Sequence, residues 1–393
     1  LYPEGPLMQK PKWEVRVHME ADWHYLSHPL SGLKRLARAG EIKLTQEVRW
    51  NASTAHYPHD PMVMIAWVRP YGGGPWKGFC YDARDRNTTF DRTALNIGAV
   101  YYKSNYHQQV IDDTLSAEDA ARIRPAGYFI PNNAFADVTD YRVSQVKTVL
   151  AAFFPLGLEA ARHAFAPTEG KTISRFRHLA QRVNITYQRL QLEAYEKAWG
   201  TPPIENQVFF NGSAWDMTSW DGLISRRYDI LKRIKAHPAA KFVGGFRDTR
   251  DARSHFPDMV ANPDYNHRQY FEEVGRSDIV LATLGLFDCL AWKVPEYMAS
   301  GRTIISEPLI NQLPAAVRHG EEMYFFQFDL SDFDQKFDQL VSSPELRQHI
   351  AAGARRYFEA WVRPDAVMRR ILEECLNLRE PAAPVHAVYD WAS

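Results

Sequence analysis

The chain has 393 residues, 45% of them hydrophobic and 24% charged, which is enough for two separate cores and excludes disordered, collagen-like and repeat-scaffold classes. Lys plus Arg (47) balances Asp plus Glu (47), so general binding to duplex nucleic acid is not expected. Three scattered cysteines, Cys80, Cys289 and Cys375, argue for a reducing compartment and against a disulfide scaffold, and they show no metal-ligand spacing. No run of 18 apolar residues is present, and no signal peptide is expected. The Asn-x-Ser/Thr matches at Asn51, Asn87, Asn184 and Asn211 are read as chance. Aromatic residues reach 13%, which suits cores as well as sugar stacking.

The first 140 residues read as irregular α/β. Short β-forming runs lie at Val15–Met19, Met62–Val68, Gly78–Tyr81 and Ala99–Tyr102, with a short helix over Ser31–Ala39. Gly72, Gly73, Gly74 and Pro75 mark a loop; without a following Lys-Ser/Thr it is not a P-loop. Helical spacing covers Val146–Phe165, where Pro155 should interrupt it, and Ile173–Trp199. The second half alternates more regularly. Strands are predicted at Gln207–Phe210, Lys241–Gly244, Ile279–Ala282, Thr303–Ser306 and Phe325–Phe328. Helices are predicted at about Leu223–His237, Tyr270–Ser277, Val294–Ala299, Asp332–Leu340, Pro344–Ala360 and Asp365–Leu376. Alternation at this pace implies a parallel sheet covered by helices.

Open α/β sheets bind ligands beyond the carboxyl ends of their strands. The loop after Phe210, Asn211-Gly212-Ser213, leads to Arg226, Arg227 and Lys232 around the following helix start, where an Arg can clamp a diphosphate. The segment from Gly285 to Gly301 carries Asp288, Lys293 and Glu296. Gly285 permits close backbone approach, Lys293 can reach phosphate, and Glu296 can accept hydrogen bonds from vicinal hydroxyls.

Residues 293–305, KVPEYMASGRTII, resemble the K-x-x-E-Y-M-A-x-G-K/R-P-I/V-I segment of GT-B glycosyltransferases; Thr303 replaces the usual Pro. Phe209-Phe210-Asn211-Gly212, Phe242-Val243-Gly244-Gly245 and Asp278–Ala282 are similar to strands of that superfamily's donor domain, so the resemblance covers about residues 205–377. It implies an α/β fold of two Rossmann-like domains facing a central cleft. The domains would be residues 1–200 for the acceptor, 201–365 for the donor, and 366–393 as a helix and tail crossing back. It implies transfer of a sugar from a nucleotide sugar to a hydroxyl of a glycan or lipid-linked acceptor, with no cofactor and no required metal. Glu296 would bind the ribose, and Asp288, eight positions earlier, would touch the donor sugar. That spacing resembles the retaining branch of the superfamily, although inversion stays open.

In the first half, Tyr101-Tyr102-Lys103-Ser104 looks like an F-K-R-S segment of some bacterial members, which would turn Lys103 towards the cleft. Asp82 is the leading candidate for a general base, with His18, Glu20, His24 and His107 behind it. Trp13, Trp23, Tyr25, Trp67, Tyr71, Trp76, Tyr101, Tyr102 and Tyr106 offer stacking surfaces for an acceptor sugar. The resemblance further implies surface polysaccharide or lipopolysaccharide synthesis in the cytoplasm, with peripheral contact at the inner membrane face. A GT-B-like nucleotide-sugar epimerase and a non-catalytic sugar- or nucleotide-binding module are the rival readings.

Overall fold

The computed structural model describes residues 10–48, 60–153, 171–214, 217–261 and 265–389. The readings at Asn51, at Pro155 and over the end of the Val146–Phe165 helix lie outside these. The chain divides into two compact units, residues 1–189 with 363–384, and residues 190–362 with 385–393.

The first unit is built on a six-stranded mixed sheet. Its strands are β1 (Trp13–His18), β2 (Ile42–Glu47), β3 (Val63–Pro70), β4 (Lys77–Asp82), β5 (Val100–Lys103) and β6 (Ile123–Pro125), in the order β2-β1-β3-β4-β5-β6. β3 runs antiparallel to both β1 and β4, while the other pairs are parallel. The sheet therefore departs from a purely parallel Rossmann arrangement. The cause is local. Gly72, Gly73 and Gly74 all adopt positive φ (86°, 153° and 102°) and turn β3 straight back into β4 as a hairpin.

Helix α1 (Trp23–Arg38) is twice as long as the sequence suggested. Asp22 caps it, accepting a hydrogen bond from the His24 amide at 3.0 Å, and Pro29 is accommodated inside it. Leu26, Leu30, Leu33 and Leu36 form its buried stripe. Helices α2 (Val138–Phe153) and α3 (Lys171–Tyr187) follow, and helical structure resumes at Leu192–Lys197 after a break. The late helix Pro364–Cys375 also belongs to this unit. It is fastened by Arg369 to Glu41 through two hydrogen bonds of 3.0 and 2.7 Å, and by Tyr102 to Glu374 at 2.7 Å.

Most of the aromatic residues proposed for stacking are core instead. Trp13, Trp23, Tyr101, Tyr102 and Tyr106 are buried. Trp76 packs against Arg16 and Arg69, whose guanidinium carbons lie 4.3 and 4.5 Å from its ring centre. Of the group, Tyr71 is clearly exposed.

The second unit has a five-stranded sheet that is parallel throughout, ordered β11-β10-β9-β7-β8. The strands are β7 (Ile204–Gly212), β8 (Lys241–Phe246), β9 (Ser277–Ala282), β10 (Thr303–Ser306) and β11 (Tyr324–Phe325). Val208, Phe210, Ile279, Leu281 and Ile305 are buried, as expected of strands covered on both faces. Helix α4 (Met217–Ala236) packs on them through Ile224, Ile230, Leu231 and Ile234. Helix α5 (Lys293–Ala299) is buried from Val294 to its end and precedes β10. Two α/β units, each on its own sheet, match the fold class that the GT-B resemblance implies. Because every strand of the second sheet points the same way, all its carboxyl ends share one edge.

Candidate active site

At that edge the loops after β7, β9 and β10 are tied together by two arginines of α4. Arg227 is buried and donates from Nε to Thr283 Oγ1 (2.8 Å), from Nη2 to the Leu284 carbonyl (2.7 Å) and from Nη1 to the Ser213 carbonyl (3.4 Å). Burial lowers its pKa to about 10. Arg226 pairs with Glu307, a fully buried carboxylate just beyond β10, and Glu307 also accepts the Leu284 amide at 2.8 Å. Both arginines lie well inside α4, which begins at Met217, and not at a helix start as the sequence suggested. Arg227 therefore reaches the strand ends sideways from the helix.

The loop from Gly285 to Cys289 is closed by a hydrogen bond from the Gly285 amide to the Cys289 carbonyl (2.9 Å). A Cβ on Gly285 would stand 2.3 Å from Cys289 Sγ, so only glycine fits there. Phe287 and Asp288 both take left-handed backbone conformations, with φ of 58° and 57°. Such geometry costs of order 1 kcal/mol or more per residue and persists where the surroundings enforce it. Asn311 enforces it here by donating to the Asp288 carbonyl at 2.8 Å. The Asp288 side chain is exposed at the tip.

Lys293 opens α5. Its ammonium lies 5.0 Å from the ring centre of Phe210, the β7 residue two before Gly212. Burial first, then Arg227 and Arg247, lower its pKa to about 7, with Glu296 acting in the opposite direction. A lysine whose protonation is depressed by burial and by neighbouring arginines is a position that an anion would relieve. Glu296, one turn on, is buried near Tyr270 and Tyr297; burial holds both phenols above their usual pKa, Tyr297 and Glu296 raise Tyr270 further, and for Tyr297 the hydrogen bond with Tyr270 lowers the value while Glu296 raises it. Gly212, Arg227, Gly285, Lys293 and Glu296 thus gather at one edge of the second unit.

Lys232 does not join them. It is exposed further along α4, with its ammonium 5.4 Å from the Tyr228 ring centre. Asp82 and Lys103 also require correction. They are register partners at the ends of β4 and β5, and both are fully buried. Asp82 accepts from Lys103 Nζ (3.0 Å), Tyr101 Oη (2.6 Å), Arg84 Nε and Nη2 (3.0 and 2.8 Å) and the Arg84 amide (2.9 Å). Burial opposes its charge, but Lys103 and Arg84 outweigh that and hold its pKa at about 2. A general base needs an accessible lone pair and a pKa nearer the working pH, and Asp82 has neither. Lys103 donates inwards to Asp82 and to the Thr89 carbonyl at 3.0 Å, so it presents no charge at a surface. The pair is a structural anchor.

The three histidines among the remaining candidates are accounted for locally. His107 caps the helix Gln108–Thr114. His24 faces Arg189 at 3.3 Å, and its pKa is lowered to about 3, first by burial and then by Arg189 and Arg182. His18 is buried at the end of β1, where its Nδ1 accepts the Glu20 amide at 3.4 Å. Sequence reasoning missed Glu307, Asn311 and Arg247. Among the described residues no group of three or more His, Cys, Asp or Glu is placed to hold a metal ion, and no helix is long and apolar enough to cross a membrane.

Residues 226–373, which hold Arg227, Gly285, Lys293 and Glu296, match a family model described as glycosyl transferase-like. That match lies within the second half of the chain. No curated protein sequence matches the chain. Among solved structures, the C-terminal domain of a glycosyl transferase group 1 family protein, LpcC of Francisella tularensis, is similar at 16% identity and a TM-score of 0.30, covering 42% of this chain and 91% of that one. HepE of Anabaena in complex with UDP-glucose is similar at 13% identity and a TM-score of 0.33, covering 71% of this chain and 79% of that one. TarM, known from S. aureus, is similar at 15% identity and a TM-score of 0.35, covering 80% of this chain and 63% of that one. The chain therefore spans less than two thirds of TarM's length. The functional reading rests on the family match and the site's geometry rather than on these distant likenesses.

Proposed function

We propose that the protein moves a sugar from a nucleotide-sugar donor to a hydroxyl of a glycan or lipid-linked acceptor, and that the donor sits at the strand ends of the second unit. The observation that carries this reading is the placement of Lys293 and Glu296 one turn apart on α5, inside the glycosyl transferase-like region. A carboxylate and a cation at this spacing share a helix face, so one ligand can meet both. Glu296 accepts the vicinal hydroxyls of the ribose. Lys293, with Arg227 behind it and the backbone at Gly212 and Gly285 alongside, takes the diphosphate.

In the reaction an acceptor oxygen bonds to the anomeric carbon while that carbon's bond to the diphosphate oxygen breaks. The diphosphate departs with the bonding electron pair, and the acceptor proton leaves to a base or to the departing phosphate. Lys293 and Arg227 lie where the negative charge develops. Protein cations thereby supply the charge stabilisation, and we read the transfer as metal-independent. The resemblance of the Asp288 and Glu296 spacing to the retaining branch of the GT-B superfamily supports retention of configuration, with Asp288 meeting the donor sugar. We place the reaction in surface polysaccharide or lipopolysaccharide synthesis, at the inner face of the cytoplasmic membrane with peripheral contact.

Replacing Glu296 by alanine is expected to weaken nucleotide-sugar binding by roughly 10–100-fold, the worth of hydrogen bonds to a charged acceptor. Calorimetric titration measures this directly; an unchanged affinity would remove Glu296 from the donor site.

A further inference from the structure

Leu284 is held by both of its backbone groups. Its amide donates to Glu307 at 2.8 Å, and its carbonyl accepts from Arg227 at 2.7 Å. The hold on the amide side is a product of strand register. β10 pairs with β9 so that Ser306 lies beside Ala282, which carries the following residue, Glu307, alongside the exit of β9. Glu307 is fully buried, and its other oxygen is engaged by Arg226. A buried carboxylate with one charged partner and one backbone partner fixes both the position and the direction of that amide. Immediately downstream, the chain enters the closed Gly285–Cys289 loop with its two left-handed residues. A strained loop keeps its shape only while its entry is held, and here Glu307 holds the entry and Asn311 the tip.

We propose that Glu307 is a positioning residue for sugar transfer, which sets the donor-sugar loop and the Asp288 carboxylate at its tip through the Leu284 amide. The inference rests on the donor site proposed above. Glu307 touches no substrate; it acts by fixing the base of the loop. Removing it allows Asp288 to drift, and a misplacement of about 1 Å at a reacting sugar can cost on the order of 100-fold in rate.

The test separates turnover from nucleotide binding. With nucleotide sugar as substrate, Glu307→Ala is expected to lower kcat by about 100-fold. Its Kd for the corresponding nucleoside diphosphate, read by calorimetry, is expected to change by less than about threefold, because Lys293 and Glu296 are untouched. Glu307→Gln keeps a carbonyl for the Leu284 amide but loses the charge that faces Arg226. It is expected to recover kcat to within about 3–10-fold of the parent. A folded Glu307→Ala protein with parental kcat overturns the inference. If that variant does not fold, Glu307→Met, which fills the same space but offers the Leu284 amide no acceptor, decides, and parental kcat per folded molecule overturns the inference equally. Failure of the parent protein itself to bind any nucleoside diphosphate would instead remove the donor-site reading on which the inference stands.

Discussion

Replacement of Asp82 by alanine is expected to cost the first unit about 3–5 kcal/mol of stability, the usual consequence of stripping the counter-charge from a buried ion cluster. Lys103 is fully buried and Arg84 largely so, and their donors converge on Asp82 together with the Tyr101 hydroxyl. With the carboxylate gone, an ammonium and a guanidinium stay desolvated without compensation. Urea denaturation followed by circular dichroism reads the loss. A double-mutant cycle with Lys103→Met should return a coupling of about 1–3 kcal/mol between the two residues.

The pH dependence has a definite sign. The folded-state pKa of Asp82, about 2, lies below the ordinary 3.8. Its contribution is therefore complete above the ordinary value and is lost as pH falls from about 4 towards 2. An Asp82→Asn protein with parental stability and abolished turnover would contradict the anchor assignment and return Asp82 to the role of base.

Replacement of Lys293 by methionine is expected to weaken nucleoside diphosphate binding by roughly 10–150-fold, corresponding to about 1.5–3 kcal/mol for hydrogen bonds to a charged group. Methionine keeps the apolar contact with the Phe210 ring and deletes only the charge. The parent protein should also show a linked protonation. Lys293 has a pKa of about 7 from burial and from Arg227 and Arg247, and a bound diphosphate raises that value. At a pH above 7, binding must then take up a proton. Affinity should fall as pH rises, by up to about tenfold per unit, until the pKa of the bound state is passed. The same lysine makes folding less favourable at low pH. Its folded-state pKa is depressed below the ordinary 10.5, so its charged form is penalised in the fold. That penalty is relieved as pH rises through the interval between the two values. Calorimetry in buffers of different ionisation enthalpy counts the proton, and no uptake at pH 8 by the parent protein would contradict the assignment.

The two halves of the chain differ in how far they could be read from sequence. Strands β7, β9 and β10 are short runs of β-forming residues bounded by turns, and being largely buried they announce themselves by composition, while β8 is a half-buried edge strand read from Lys241–Gly244. The first half of α1 is hard to see in the sequence because Pro29 and two histidines mask an apolar stripe that the fold nevertheless buries. β2 was overlooked: its Lys43, Thr45 and Gln46 leave too weak an alternation at a sheet edge.

The site divides on the same physical line. Lys293 and Glu296 are neighbours on one helix turn, so their partnership is written in consecutive residues. Glu307 acquires its role only from the pairing of β10 with β9, and Arg226 and Arg227 only from the side of α4 that meets the strand ends. Asp82 and Lys103 were singled out as chemistry-bearing residues, and they do meet. Parallel pairing of β4 with β5 sets them opposite each other in the interior, where their charges neutralise each other.

The central claim is that Lys293 and Glu296 hold a nucleotide-sugar donor, and incubation of the protein with a panel of nucleotide sugars tests it most directly. The account predicts that one class of donor yields free sugar and nucleoside diphosphate slowly, and faster transfer when a glycan or lipid-linked acceptor is supplied. Glu296→Ala should retain this turnover only at much higher donor concentration. Interconversion of the sugar without nucleotide release would make the protein an epimerase, and binding without turnover in the presence of acceptors would make it a binding module; either result would contradict the account.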